Sequence, residues 1–141
     1  MFKSILAPVD LAEPAPAQPA IRAAVEIANV AGGRVRLINV QSLLPATFMD
    51  YVPADFDAMQ RANAEKALAD MLKDIKLPAD RLSSIVRIGG IYPEILAEAK
   101  EWGADLVVIG SHRPAMSTYL LGSNATTVVR HATCSVLVVR E

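Results

Sequence analysis

The chain is poor in the residues that several protein classes depend on: its 141 residues include one cysteine, three phenylalanines, three tyrosines and one tryptophan. With Cys134 alone, no intramolecular disulfide can form, which excludes small disulfide-built secreted scaffolds and four-cysteine zinc sites. Charge of one sign is lacking too. Fourteen Lys and Arg against fifteen Asp and Glu leave a formal net charge of −1, without the cationic surplus that a phosphate backbone attracts, so no nucleic-acid partner is expected. Long hydrophobic runs are also missing near the start. The opening Ile5-Leu6-Ala7-Pro8-Val9 is interrupted by Pro8 and closed by Asp10, too short for a signal-peptide core or a membrane span, so a cytosolic protein without a membrane partner is expected. Certain motifs are absent as well. No Gly-x4-Gly-Lys-(Ser/Thr) loop supplies the lysine of the common NTPases, and no Gly-x-Gly-x-x-Gly turn follows the first apolar run, where Pro8-Val9-Asp10 stands. Neither a Gly-x-Ser-x-Gly elbow nor a metal-binding cluster of His and Asp appears, so no catalytic and no metal residue is assigned.

What the chain does have is aliphatic: 52% of it is hydrophobic, mostly Ala, Val, Leu and Ile, a mix suited to β-branched strands packed against Ala/Leu helices. Residues 4–8 and 34–40 read as strands. Between them, residues 18–31 carry Ile21, Ala24, Val25 and Ala28 at helical spacing, with Gly32-Gly33 as terminator. Residues 42–54 hold Pro45 and Pro53 and no sustained period, and read as a long loop. Asp55 is placed to cap a helix with Phe56, Met59, Ala64, Leu68, Met71, Leu72 and Ile75 on an inward face. A strand over 83–88, a helix over 92–102 stopped by Gly103, the continuous apolar run 106–109, a helix over 123–131 and a last strand over 135–139 follow. Five strands alternating with four helices predict an α/β domain spanning 1–141: a five-stranded parallel sheet with helices on both faces, Rossmann-like.

Such sheets bind ligands outside the carboxyl ends of their strands, where strand order reverses. Gly110, directly after the apolar run, lets a ligand approach the main chain. Gly122-Ser123-Asn124 opens a helix whose free N–H groups and dipole suit phosphate, or else forms an ordinary turn and helix cap. Asp10 emerges at the same edge, placed to hold a ribose hydroxyl or a metal, or to cap the loop that follows. Trp102 reads as a packing anchor and Cys134 as a small buried apolar residue.

The order of these pieces resembles the universal stress protein family along essentially the whole chain. The resemblance runs through Ile5-Leu6-Ala7-Pro8-Val9-Asp10, Val40, Gly89, Ala104-Asp105-Leu106-Val107-Val108-Ile109-Gly110-Ser111, Leu120-Leu121-Gly122-Ser123 and Cys134-Ser135-Val136-Leu137-Val138-Val139. The family's ATP-binding branch carries Gly-x2-Gly-x9-Gly-(Ser/Thr). Here Arg113 replaces the second glycine, and eight residues rather than nine separate it from Gly122, so that a guanidinium stands where backbone access would be. The resemblance implies that Ala7, Pro8, Val9, Asp10 and Val40 frame adenine and ribose. Ile109 and Gly110 would lie at the ribose, and His112, Arg113, Gly122, Ser123 and Asn124 at the phosphates. It implies ATP or AMP as ligand, with magnesium as a companion ion left open. It also implies a homodimer through the last strand, from Val136 to Val139, and a dimeric switch or adaptor in the stress response with an unknown protein partner. A nucleotide-free adaptor dimer and a slow ATP hydrolase using Asp10 or His112 stand as alternatives.

Overall fold

A computed structural model describes residues 1–43, 46–111 and 123–140. Its five strands, β1 (Ser4–Pro8), β2 (Arg34–Gln41), β3 (Leu82–Ile88), β4 (Leu106–Gly110) and β5 (Ser135–Val139), form one parallel sheet in the order β3-β2-β1-β4-β5. The helices are α1 (Gln18–Ala31), α2 (Phe56–Leu72), α3 (Ile91–Trp102) and α4 (Ser123–His131). Gly32 and Gly103 end α1 and α3 in the left-handed conformation (φ 69° and 78°), which a residue with a Cβ adopts only at a cost. These two punctuation marks fall where the sequence places them.

Strand alternation divides the core into two layers. Ile5, Ala7, Val35, Leu37, Val86, Leu106 and Val108 pack with Ala24 and Ala28 of α1 and Ala64 and Leu68 of α2. Leu6, Ile38, Val107 and Ile109 face the other way, onto Ile95 and Ala99 of α3 and Ala125 and Val128 of α4. A parallel sheet needs this cover on both faces, because its strands are apolar throughout. Toward β3 the α3 layer turns polar: Glu98, 3% exposed, takes Arg36 at 2.8 Å and Arg87 Nη1 at 2.9 Å, Glu101 shares that Nη1, and Glu94 takes Arg87 Nε. Those carboxylates hold the Arg87 proton more tightly than usual. Trp102 is not a purely apolar anchor, since the guanidiniums of Arg34 and Arg36 lie 4.3 and 4.6 Å from its ring centre. Cys134 is half-buried against the α3/α4 layer, and burial pushes its thiol up.

Three local expectations fail. Asp55 precedes α2 but makes no side-chain capping bond, and Met59, expected inward, is 52% exposed. Only Ala64 and Leu68 of α2 are fully buried, with Met71 and Leu72 packed against the core, so the helix rests on the sheet by its second half. Residues Ala46–Tyr51, expected as open loop, form a 3-10 helix. Among the described residues no helix is long and apolar enough to cross a membrane.

Candidate functional site

Strand order reverses between β1 and β4, and pairing there is brief. β1 meets β2 over five register pairs and β4 meets β5 over five, but β1 meets β4 only at Ile5↔Leu106 and Leu6↔Val107. Beyond those pairs the two strands part, and a cleft of about 1160 Å³ opens at their carboxyl ends. This is the topological switch point, where an open α/β sheet leaves main-chain groups unpaired for a ligand.

Each wall has a distinct chemistry. On one side Pro8, Val9 and Asp10 leave β1, and Asp10 Oδ1 accepts the N–H of Ala12 at 2.9 Å, folding the exit loop back on itself. On the opposite side lie Ile109 and Gly110 at the end of β4. A Cβ on Gly110 would stand 3.3 Å from the carbonyl oxygen of Pro16, so the turn before α1 closes tightly over this glycine. α4 begins at Ser123, and Ser123, Asn124 and Ala125 bring the positive end of its dipole to the cleft.

The floor is the end of β2. Ile38 C=O accepts Val9 N–H at 2.8 Å, whereas Gln41 C=O accepts Gly89 N–H at 2.9 Å on the β3 side. Main-chain groups alternate sides along a strand, so the N–H and C=O of Val40 point toward β1, at the place where β1 has already turned away. Asn39, 3% exposed, donates Nδ2 to Val9 C=O at 2.9 Å, and its Oδ1 accepts from Gln41 Nε2. Gln41 Oε1 in turn accepts from Gln60 Nε2 of α2 at 2.8 Å. This amide relay joins β1, β2 and α2 along the cleft. Among the described residues no group of three or more His, Cys, Asp or Glu could hold a metal ion.

A sequence profile of the Universal stress protein family matches residues 1–140. The chain belongs to the universal stress protein family. Universal stress protein G of Escherichia coli O157:H7 is 38% identical to it over 143 residues, 99% of this chain and 100% of that one. Universal stress protein UspA from Lactobacillus plantarum superposes with a TM-score of 0.79 at 26% identity, covering 99% of this chain and 98% of the other. A universal stress protein family protein from Arabidopsis thaliana, solved with AMP bound, shares the fold at a TM-score of 0.64 and 19% identity, over 99% of this chain and 92% of that one.

The universal stress protein fold brings Pro8, Val9, Asp10, Val40, Ile109, Gly110, Ser123 and Asn124 around one cleft. Ala7 is different: alternation turns its side chain into the α1 layer, fully buried and away from the cleft lining. His112, Arg113 and Gly122 lie outside the described residues. Sequence reasoning missed Asn39, Gln41 and Gln60. Asn39 carried a signal, a polar residue in an apolar strand with its side chain expected inside, but Gln60 on an exposed-looking stretch of α2 carried none.

Proposed function

We propose that this universal stress protein binds an adenine nucleotide, ATP or AMP, in the β1/β4 cleft and acts as a cytosolic regulator whose surface responds to occupancy. The observation that carries the reading is the end of the β1–β2 ladder at the bond from Val9 N–H to Ile38 C=O, beyond which strand alternation turns the main-chain N–H and C=O of Val40 toward the opening. A donor and an acceptor so placed match N1 and the 6-amino group of adenine. Pro8, Val9 and Asp10 would then frame base and ribose, Ile109 and Gly110 the sugar, and Ser123 and Asn124 at the start of α4 the phosphates. His112, Arg113 and Gly122 keep their sequence-based assignment to the phosphates. The AMP held by the Arabidopsis fold relative supports the ligand class. Magnesium, where it accompanies ATP, would be held chiefly by phosphate oxygens and water, with Asp10 and Glu13 the carboxylates that line the cleft. Calorimetric titration tests the reading: saturable heat with ATP or AMP is expected, and flat traces for both at millimolar concentration overturn it.

A switch follows from differential binding. A nucleotide that favours one arrangement of the cleft walls by about 1.4 kcal/mol changes the population ratio tenfold. The segment after β2 is the surface such a change would present to a partner, for it carries Leu43 and Tyr51 at 71% and 85% exposure. Dimerisation belongs to the same proposal. β5 is an edge strand with Leu137 exposed, and pairing with a second copy would satisfy its outer main-chain groups. Sedimentation at tens of micromolar should show a dimer, and a monomer there removes this part.

A further inference from the structure

The relay along the cleft floor has a direction that its own chemistry fixes. Val9 contributes a carbonyl, which only accepts, so Asn39 must present its NH₂ to Val9 and its oxygen to Gln41. Gln41 then offers its NH₂ to Asn39 and its oxygen to Gln60, whose Nε2 donates at 2.8 Å. An amide cannot be reversed at any of these steps without placing two donors or two acceptors face to face. The buried first member, Asn39, is therefore locked, and the lock has a consequence for the neighbouring peptide.

Continued parallel pairing between β1 and β2 would give the carbonyl of Val9 to the N–H of Val40. Asn39 Nδ2 is on that carbonyl instead. The ladder ends with Val9 N–H on Ile38 C=O, and the Val40 peptide is left facing the cleft. We propose that Asn39, braced by Gln41 and Gln60, is a positioning residue that terminates the β1–β2 ladder and holds the Val40 peptide open as the base-reading edge, selecting a 6-aminopurine over a 6-oxopurine. This rests on the nucleotide reading above and names what sets its specificity. A 6-aminopurine brings an acceptor at N1 and a donor at the 6-position, which complement the Val40 N–H and C=O. A 6-oxopurine brings the reverse pattern, donor against donor and acceptor against acceptor, and unpaired buried groups of that kind reject a ligand strongly.

Equilibrium binding of AMP and IMP to the full chain tests it, with wild type, Asn39→Leu and Gln60→Leu compared and thermal unfolding followed in parallel. Wild type is expected to prefer AMP by tenfold or more. Asn39→Leu should bring the two affinities within about threefold by weakening AMP and sparing IMP, and Gln60→Leu, at the half-buried end of the relay, should lower the preference by a smaller factor. A purely structural role would weaken both nucleotides alike. Should Asn39→Leu fail to fold, Gln60→Leu alone decides: an unchanged AMP preference overturns the proposal. Equal binding of AMP and IMP by wild type also overturns it while leaving the nucleotide reading in place, whereas binding of neither overturns that reading and this inference with it.

Discussion

The junction of β1 and β4 is built on opposite plans at its two ends. At the amino end it is clasped shut. Asp105 accepts the N–H groups of Lys3 and Ser4 at 2.8 and 2.9 Å and donates its own N–H to Ser4 C=O at 2.9 Å, so one residue before β4 satisfies three main-chain groups around β1. Further polar contacts crowd the same end: Arg34 Nε reaches Ser4 Oγ at 2.9 Å, and Lys3 Nζ caps the last turn of α1 at Ala31 C=O. At the carboxyl end β1 and β4 separate after two register pairs, and on its other side β1 also leaves β2, where Asn39 draws the carbonyl that further β1–β2 pairing would use. Polar groups at one end bond to each other, and at the other they line a cavity. The strands diverge at one end while they are tied at the other, so the proposed ligand would sit away from the clasp.

If that division holds, stability and binding are separable, and changes at the amino end have the larger effect on stability. Asp105→Asn keeps the shape of the clasp but removes its charge and sets an NH₂ against one of the two donors. It should cost about 2 kcal/mol of unfolding free energy at neutral pH, measured by urea denaturation, while AMP affinity of the folded protein stays within about twofold. The pH dependence is a sharper test. Burial raises the Asp105 carboxyl, but the N–H groups of Ser4 and Lys3 outweigh it and hold it below the ordinary carboxylate value. A group depressed in the folded state stabilises fully above its unfolded pKa, about 3.9, and loses that contribution as pH falls through the lower folded value. The lead of wild type over Asp105→Asn should therefore be constant from pH 7 to about 5 and shrink below about 4. A lead independent of pH in that acid range would mean that charge is not what closes this end.

The two ends also differed in how far the sequence disclosed them. The apolar run before Gly110, the glycines after α1 and α3, and the alternation through β2 express their structure locally, so strands, helices and the switch point could be read directly. Pro8, Asp10, Gly110 and Ser123 sit at strand or helix ends, where position alone implies a place at the cleft. Asn39, Glu98 and Gln60 are otherwise, because their partners are 30, 62 and 19 residues away in the chain and no local period encodes such pairs. α2 misled for a related reason: its apolar residues suggested a long inward face, but its fully buried residues, Ala64 and Leu68, lie in the second half, while the first half reaches the sheet through the polar side chains of Gln60 and Arg61 and leaves Met59 outside. Asp105 showed itself only as part of a family motif, and its clasp depends on β1 lying beside β4 across about a hundred residues, |i−j| = 102 for Lys3.

The smaller effect belongs to the carboxyl end and should fall on binding. Gly110 faces the carbonyl of Pro16 so closely that a Cβ there, at 3.3 Å, forces the Ala15–Ala17 turn to give by a few tenths of an ångström. That turn carries no fully buried residue, with Ala15 exposed and Pro16 and Ala17 half-buried, so it can give at modest cost, and Gly110→Ala should change unfolding free energy by less than about 1 kcal/mol. The displaced turn and the added methyl both intrude on the cleft wall that Gly110 shares with Pro16 and Ala17. AMP affinity should drop severalfold, about 1 kcal/mol, in the same preparation whose urea midpoint barely moves. Loss of stability comparable to Asp105→Asn, with binding intact, would show that the open end carries the fold as much as the clasped end does, and the contrast between them would collapse.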